Sequence, residues 1–239
     1  MKLPLGQTLV ATAGIIILCS LGTWQIQRME WKQGLIAKLE ADYKAGEENR
    51  ALFIPDSRLQ ELATEKQPVA YGTLEGRLLR NSSVLLGPRI LDGKMGYNLI
   101  LPLQMQGGKI ILANLGWVDQ LWKDNTEERL AFLPAQNVTV RGVIRKPDWS
   151  SFASRNSPAS DMWFRADIDE ISRVKGLTVS YPFMIYAEDV NPPLHDVAPS
   201  GEHWLPRNKH LQYAIFWFAM AATLLVVFGF YVKGRRRIS

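Results

Sequence analysis

Asn208-Lys209-His210-Leu211-Gln212-Tyr213-Ala214-Ile215-Phe216-Trp217-Phe218 opens an apolar run that continues through Val232 and stops at Lys233-Gly234-Arg235-Arg236-Arg237. Residues 211–232 carry no charge. As a helix, such a run is long enough to cross a hydrocarbon core of about 30 Å. Polar and aromatic groups gather at its entry (Asn208, His210, Gln212, Tyr213, Trp217) and basic groups at its exit. That asymmetry predicts a transmembrane helix over 211–232 with a basic cytoplasmic tail over 233–239.

The other end of the chain repeats the pattern. Residues 3–27 are uncharged, with an apolar centre from Leu9 to Leu21. The small-residue site Ala11-Thr12-Ala13 falls before most of that run, so a cleaved signal peptide fits poorly. An uncleaved first span over 8–27 follows, with 1–7 as a cytoplasmic N-terminus. Two spans put both termini on one side, and the basic tail makes that side the cytoplasm. The segment between them is then exported. No Arg/Ser-rich transit sequence precedes the first span, which favours a bacterial inner (plasma) membrane.

The chain has 239 residues and a formal charge of +5. Lys2, Lys233, Arg235, Arg236 and Arg237 account for that excess, and without them 23 basic residues face 23 acidic ones. The charge is topogenic, and nucleic acid is not an expected partner. The lone Cys19 excludes an internal disulfide, a CxxC redox pair and a CxxCH haem attachment. The residues Ile16-Ile17-Leu18 before it also lack the small side chains of a lipoprotein cleavage site.

Residues 28–66 read as a helical extension and connector. Trp31, Leu35 and Leu39 recur at helical spacing, and Gln25, Arg28 and Lys32 form a polar stripe. A short helix is expected near 58–63. From 67 to 190 the pattern changes to short β runs, at 69–77, 83–86, 97–103, 109–114, 138–145 and 179–187. Gly87-Pro88, Asp92-Gly93 and Gly107-Gly108 supply expected turns. Short helices are predicted at 126–132 and 167–174, the second capped by Asp167. The fold class is therefore a membrane α+β protein, with two transmembrane helices flanking an exported antiparallel β-rich, barrel-like domain. Residues 191–210 return the chain to the membrane, with Trp204 and Trp217 suited to its interface.

No GxSxG elbow, phosphate-binding glycine loop or HExxH motif occurs. His195-Asp196 are neighbours in a Pro-rich loop and cannot by themselves form an oriented triad. The expected class is not an enzyme. Two readings of His210 stand side by side: a capping residue at a helix start, or a haem or metal ligand. A helix N-terminus disfavours imidazolium, and only neutral imidazole ligates iron. Arg28 and Lys32 stand at the same level on the first span and suit the carboxylates of an amphipathic macrocycle.

Leu21-Gly22-Thr23-Trp24-Gln25-x-Gln27-Arg28 with Trp31-Lys32 resembles the opening motif of the surfeit locus protein one family of cytochrome c oxidase assembly factors. Arg207-Asn208-x-His210-Leu211-Gln212-Tyr213 with Trp217 resembles its closing motif. Gly96-Tyr97, Pro102-Leu103, residues 111–118, Gly142-Val143-Ile144-Arg145, Asn156-x-Pro158 and Trp163 match in order between them. The chain departs from the family with Leu115 where arginine is usual and Phe216 where threonine is common. The resemblance implies a bacterial-type assembly factor that binds haem a and assists its insertion into the oxidase catalytic subunit. It implies His210 as the iron ligand, with Trp24, Gln25, Arg28, Gln212, Tyr213 and Trp217 around the cofactor. Expected partners are that catalytic subunit, haem a synthase and the lipid bilayer. The alternative is a cofactor-free scaffold that stabilises an oxidase subunit.

Overall fold

A computed structural model describes residues 5–48, 52–149, 152–199 and 204–238, with backbone alone at Glu47 and 236–238. Expectations that rest on Lys2, His203 and the side chains of Arg236 and Arg237 lie outside the described residues. The chain divides into two compact units, Met1–Glu40 with Leu205–Ser239, and Ala41–Trp204.

The first unit is helical. It holds most of α1 (Leu5–Glu48) and all of α6 (His210–Ile238). Both contain stretches long and apolar enough to cross a membrane, yet only 17% of one such stretch and 6% of the other is buried. The core helix of a soluble protein would be mostly buried. Here Leu9, Val10, Ile16 and Ile17 of α1 and Ile215, Phe216, Leu225, Val226 and Phe230 of α6 are exposed. Contiguous apolar surface on this scale suits lipid rather than water. Small residues let the two helices approach. Ala11, Ala214 and Ala221 are buried. A Cβ on Gly22 would meet the Phe218 ring at 2.7 Å, so that ring fills the space a side chain would take.

The second unit is a six-stranded sheet with short helices. The strands are β1 (Val69–Leu78), β2 (Val84–Leu91), β3 (Lys94–Met105), β4 (Ile110–Asp119), β5 (Val138–Arg145) and β6 (Val179–Asn191). Their order is β1-β5-β6-β4-β3-β2, and β1 pairs again with β3 over Gly76–Leu78, which curls the sheet back on itself. The antiparallel expectation needs correction, because β4 and β6 pair in parallel. Between them the chain passes through α3 (Gln120–Asp124), α4 (Thr126–Ala131), β5 and α5 (Ile168–Lys175). A connection of that length can deliver β6 in the same direction as β4, which a tight turn cannot.

The short helix expected near 58–63 is α2, Asp56–Thr64. The first helix runs further than its apolar content required, because Leu39 and Tyr43 near its end are buried. Trp31, two turns before Leu39 on the same stripe, is 44% exposed, so burial of that stripe begins beyond it. Gly87-Pro88 is not a turn: it lies within β2 at a register shift between Leu86 and Arg89. Helix α3 had no apolar period to announce it. Its cap is Asp119, whose carboxylate accepts the Trp122 N–H at 3.0 Å, and Trp122 is buried. The predicted cap of α5 is present, with Asp167 Oδ1 accepting the Glu170 N–H at 3.0 Å.

The sheet is buried on both faces in its middle. Leu99, Leu101 and Leu103 of β3 join Ile111, Ala113, Val140, Phe183 and Ile185 in one core. Ile100 points the other way and joins Leu112, Met184 and Trp163 with Ile171 of α5. Period-two alternation with both faces covered explains why 99–103 reads as an unbroken apolar run. Leu115 is fully buried in the first core, so an uncharged residue suits that position here.

Candidate functional site

Helix α6 begins at His210, and its start is tied to α1 by side chains. Asn208 Nδ2 donates to the Met29 carbonyl at 3.2 Å, and Asn208 Oδ1 accepts the His210 N–H at 3.4 Å. The asparagine thus caps one helix and grips the other.

The His210 ring meets Gln25. Its Nδ1 lies 2.7 Å from Gln25 Oε1. Gln25 is only 9% exposed, one of the few buried polar side chains among the described residues. With the amide oxygen as acceptor, Nδ1 carries the proton and Nε2 keeps its lone pair. In the neutral ring, that arrangement leaves Nε2 as the nitrogen able to ligate. A second partner on the distal nitrogen is the usual way a ligating histidine is oriented.

Positive charge stands beside the ring. Arg28 and Lys32 both act electrostatically on His210. The Arg28 guanidinium lies 4.0 Å from the centroid of the Trp31 ring. That stacking orients a planar donor fork without consuming its N–H groups, which remain suited to carboxylates. Gln25, Arg28 and Lys32 follow the stripe read from sequence. The stacking of Arg28 on Trp31 was not anticipated, although an arginine three residues before a tryptophan is its signature.

The remaining expected residues are placed less tightly. Trp24 and Tyr213 are 53% and 52% exposed, and Gln212 is exposed. Trp217 is half-buried, in edge contact with Phe216 at 5.6 Å. Among the described residues no hydrogen bond joins these four to His210. Nor does any group of three or more His, Cys, Asp or Glu among those residues form a cage for a metal ion. A cofactor that brings most of its own ligands, as a haem does, would need only one nitrogen from the protein, and His210 Nε2 would be the group to supply it. The residues present fit such a group.

Comparison with known proteins gives a consistent picture. The model of the SURF1 family matches residues 12–222. A SURF1-like protein of Dictyostelium discoideum is 27% identical over 261 residues, covering 91% of this chain and 93% of its own. A SURF1-like protein of Rickettsia felis is 28% identical over 232 residues, covering 93% of this chain and 95% of its own. Surfeit locus protein 1 of Mus musculus is 26% identical over 235 residues, covering 89% and 72% respectively.

Proposed function

This chain belongs to the SURF1 family, and from that premise we propose that it is a non-catalytic assembly factor for haem-copper cytochrome c oxidase. It holds haem a at His210 and assists its insertion into the catalytic subunit. The observation that carries this reading is the Gln25–His210 hydrogen bond, which leaves Nε2 free at the start of an apolar helix. The cofactor would bring an iron that accepts a nitrogen lone pair, an apolar macrocycle and carboxylates. His210 Nε2 ligates, Gln25 holds the ring orientation, and Arg28 with Lys32 pairs with the carboxylates. Trp24, Tyr213, Gln212 and Trp217 line the macrocycle. A single histidine bond suits a protein that must release its load to a partner.

The surroundings follow. The two helices span the inner membrane of a bacterium with both termini in the cytoplasm, and the 67–190 region is exported as a barrel-like domain. The bacterial relatives support that location, and the β1–β3 pairing supports the barrel. The oxidase catalytic subunit is the main partner, and haem a synthase is the source of the load.

One observation favours a second reading. Asn208, Gln25 and His210 also tie α1 to α6, which a cofactor-free scaffold would need equally. The visible spectrum of protein purified from cells that make haem a separates the two. The carrier shows a Soret band that His210→Ala removes while the protein still accumulates. A colourless wild-type protein overturns the carrier and leaves the scaffold.

A further inference from the structure

The strands carry few exposed apolar side chains, and those gather in one place. Among the described strand residues the exposed large apolar ones are Ile90 and Leu91 of β2 and Met95 of β3. All three stand at the tip of the hairpin that joins the two strands. Ile90 and Met95 are directly opposite each other in register, and they are 77% and 57% exposed. Each gives the other a cross-strand contact, but most of their apolar surface stays in water, so folding gains little from them. Side chains alternate between faces, so Ile90 and Met95 share one face while Arg89, Leu91 and Lys94 share the other.

The hairpin is braced. Its turn is Asp92-Gly93, with φ of 49° and 76°. Two positive φ values give the tight turn whose twist matches the flanking strands. At the root, the Gly87 N–H donates to the Trp163 carbonyl at 2.8 Å, and Trp117 Nε1 donates to the Arg89 carbonyl at 3.2 Å. A Cβ on Gly96 would stand 2.5 Å from the Trp117 ring, so that ring packs directly on the hairpin backbone. Trp117 is fixed in turn by exchanging backbone hydrogen bonds with Ala198, at 2.7 and 2.8 Å. The charge of the tip selects what covers it. Arg89 and Lys94 make no ion pair among the described residues, and Asp92 is the one carboxylate between them in the chain. The extreme end therefore leads with a carboxylate, which hydrocarbon excludes and anionic headgroups repel. A protein surface can be apolar where Ile90 and Met95 stand and acidic where the two cations reach.

We propose that the tip of the β2–β3 hairpin is the surface by which the sheet unit docks on the oxidase catalytic subunit: Ile90 and Met95 fill an apolar depression of that protein, and Arg89 and Lys94 meet carboxylates at its margin. The apolar pair supplies affinity, because a central buried anchor carries most of the energy of an interface. The cations supply steering and exclude partners without an acidic margin. A braced hairpin meets the partner with little ordering cost. The proposal rests on the reading of the chain as an oxidase assembly factor, and it holds for the carrier and the scaffold alike.

The full chain tests it in two ways. In cells assembling the oxidase, a benzophenone amino acid replaces Ile90 or, as a control, the exposed Glu128 of α4. Light should join the Ile90 position to the catalytic subunit, identified by antibody, and leave the Glu128 position unjoined. Equal yield at both positions overturns the hairpin as the docking surface. So does an adduct at Ile90 with lipid, or with a second copy of this chain, in place of the subunit. With purified proteins in detergent, Ile90→Ser with Met95→Ser should weaken association with the catalytic subunit about tenfold or more. Lys94→Glu should weaken it several-fold, and the loss should shrink as salt is added. Thermal midpoints should match wild type, since the replaced side chains are exposed. If wild type associates and the double serine variant associates equally well, the assembly reading stands and the hairpin is overturned. If wild type itself does not associate with the catalytic subunit, the assembly reading fails and the proposal falls with it.

Discussion

At the residue scale the central contact is one hydrogen bond between Gln25 and His210. Gln25→Leu keeps the size of the side chain and removes the acceptor, so the ring loses its orientation and tautomer. On the proposed carrier reading, haem a affinity should fall about tenfold, as for other partners that orient a ligating histidine. Gln25→Glu should retain affinity, because a carboxylate accepts the same proton more strongly. Titration of the Soret band reads both, and equal affinity for Gln25→Leu and wild type would remove the orienting role. Arg28→Ala should cost only a few-fold, since an exposed ion pair is worth about 1 kcal/mol or less. Away from the helices, burial pushes the Tyr186 phenol up to about 12, with Arg145 opposing the shift. A raised folded value gives stability that is complete below the ordinary value of 10.0 and is lost as pH climbs toward 12. Burial and Asp56 raise Tyr181 in the same direction. Tyr186→Phe should therefore flatten the alkaline fall in thermal midpoint in part, leaving the shares due to Tyr181 and Tyr43, which burial also raises. An unchanged alkaline limb would contradict the assignment.

At the element scale the β5–β6 pair depends on the absence of a side chain. A Cβ on Gly142 would stand 1.9 Å from the Tyr186 carbonyl oxygen, where the register shifts between Arg141 and Gly142. Backbone cannot rotate away as a side chain can, so Gly142→Ala should destabilise the sheet unit by about 3 kcal/mol. Gly22→Ala meets only the tip of the Phe218 ring, a movable group, and should be tolerated with a smaller loss. Thermal melts of the two variants in detergent compare them, and equal midpoints would contradict this ranking. Helix α5 offers a milder test. Asp167→Ala removes its cap bond and should cost about 1 kcal/mol, visible as a small drop in midpoint.

At the scale of the whole molecule, two apolar helices lie at the ends of the chain and a mixed sheet lies between them. With the basic residues Lys233, Arg235, Arg236 and Arg237 at the C-terminal end of α6, reporter fusions should place residue 239 in the cytoplasm and the 67–190 region outside it. Adding lysines to the segment before α6 should weaken that preference. An exported C-terminus in the unaltered chain would reverse the orientation.

What the sequence by itself determined is local and periodic. Uncharged runs as long as a bilayer mark α1 and α6, because hydrocarbon tolerates few charges. The alternating runs of β1 to β6 and the Asp167 cap are set by neighbours along the chain. So is the stripe of Gln25, Arg28 and Lys32. The tertiary structure decided what depends on distant partners. The parallel pairing of β4 with β6 is invisible locally, since a strand has the same side-chain period in either direction. The bulge at Gly87-Pro88 reads as a turn until β3 runs beside it. The reach of α1 to Glu48 depends on Tyr71, which meets Tyr43 at 4.3 Å between ring centroids. Gln25 and His210 are 185 positions apart, and only the packing of one helix on the other brings an amide oxygen to an imidazole nitrogen.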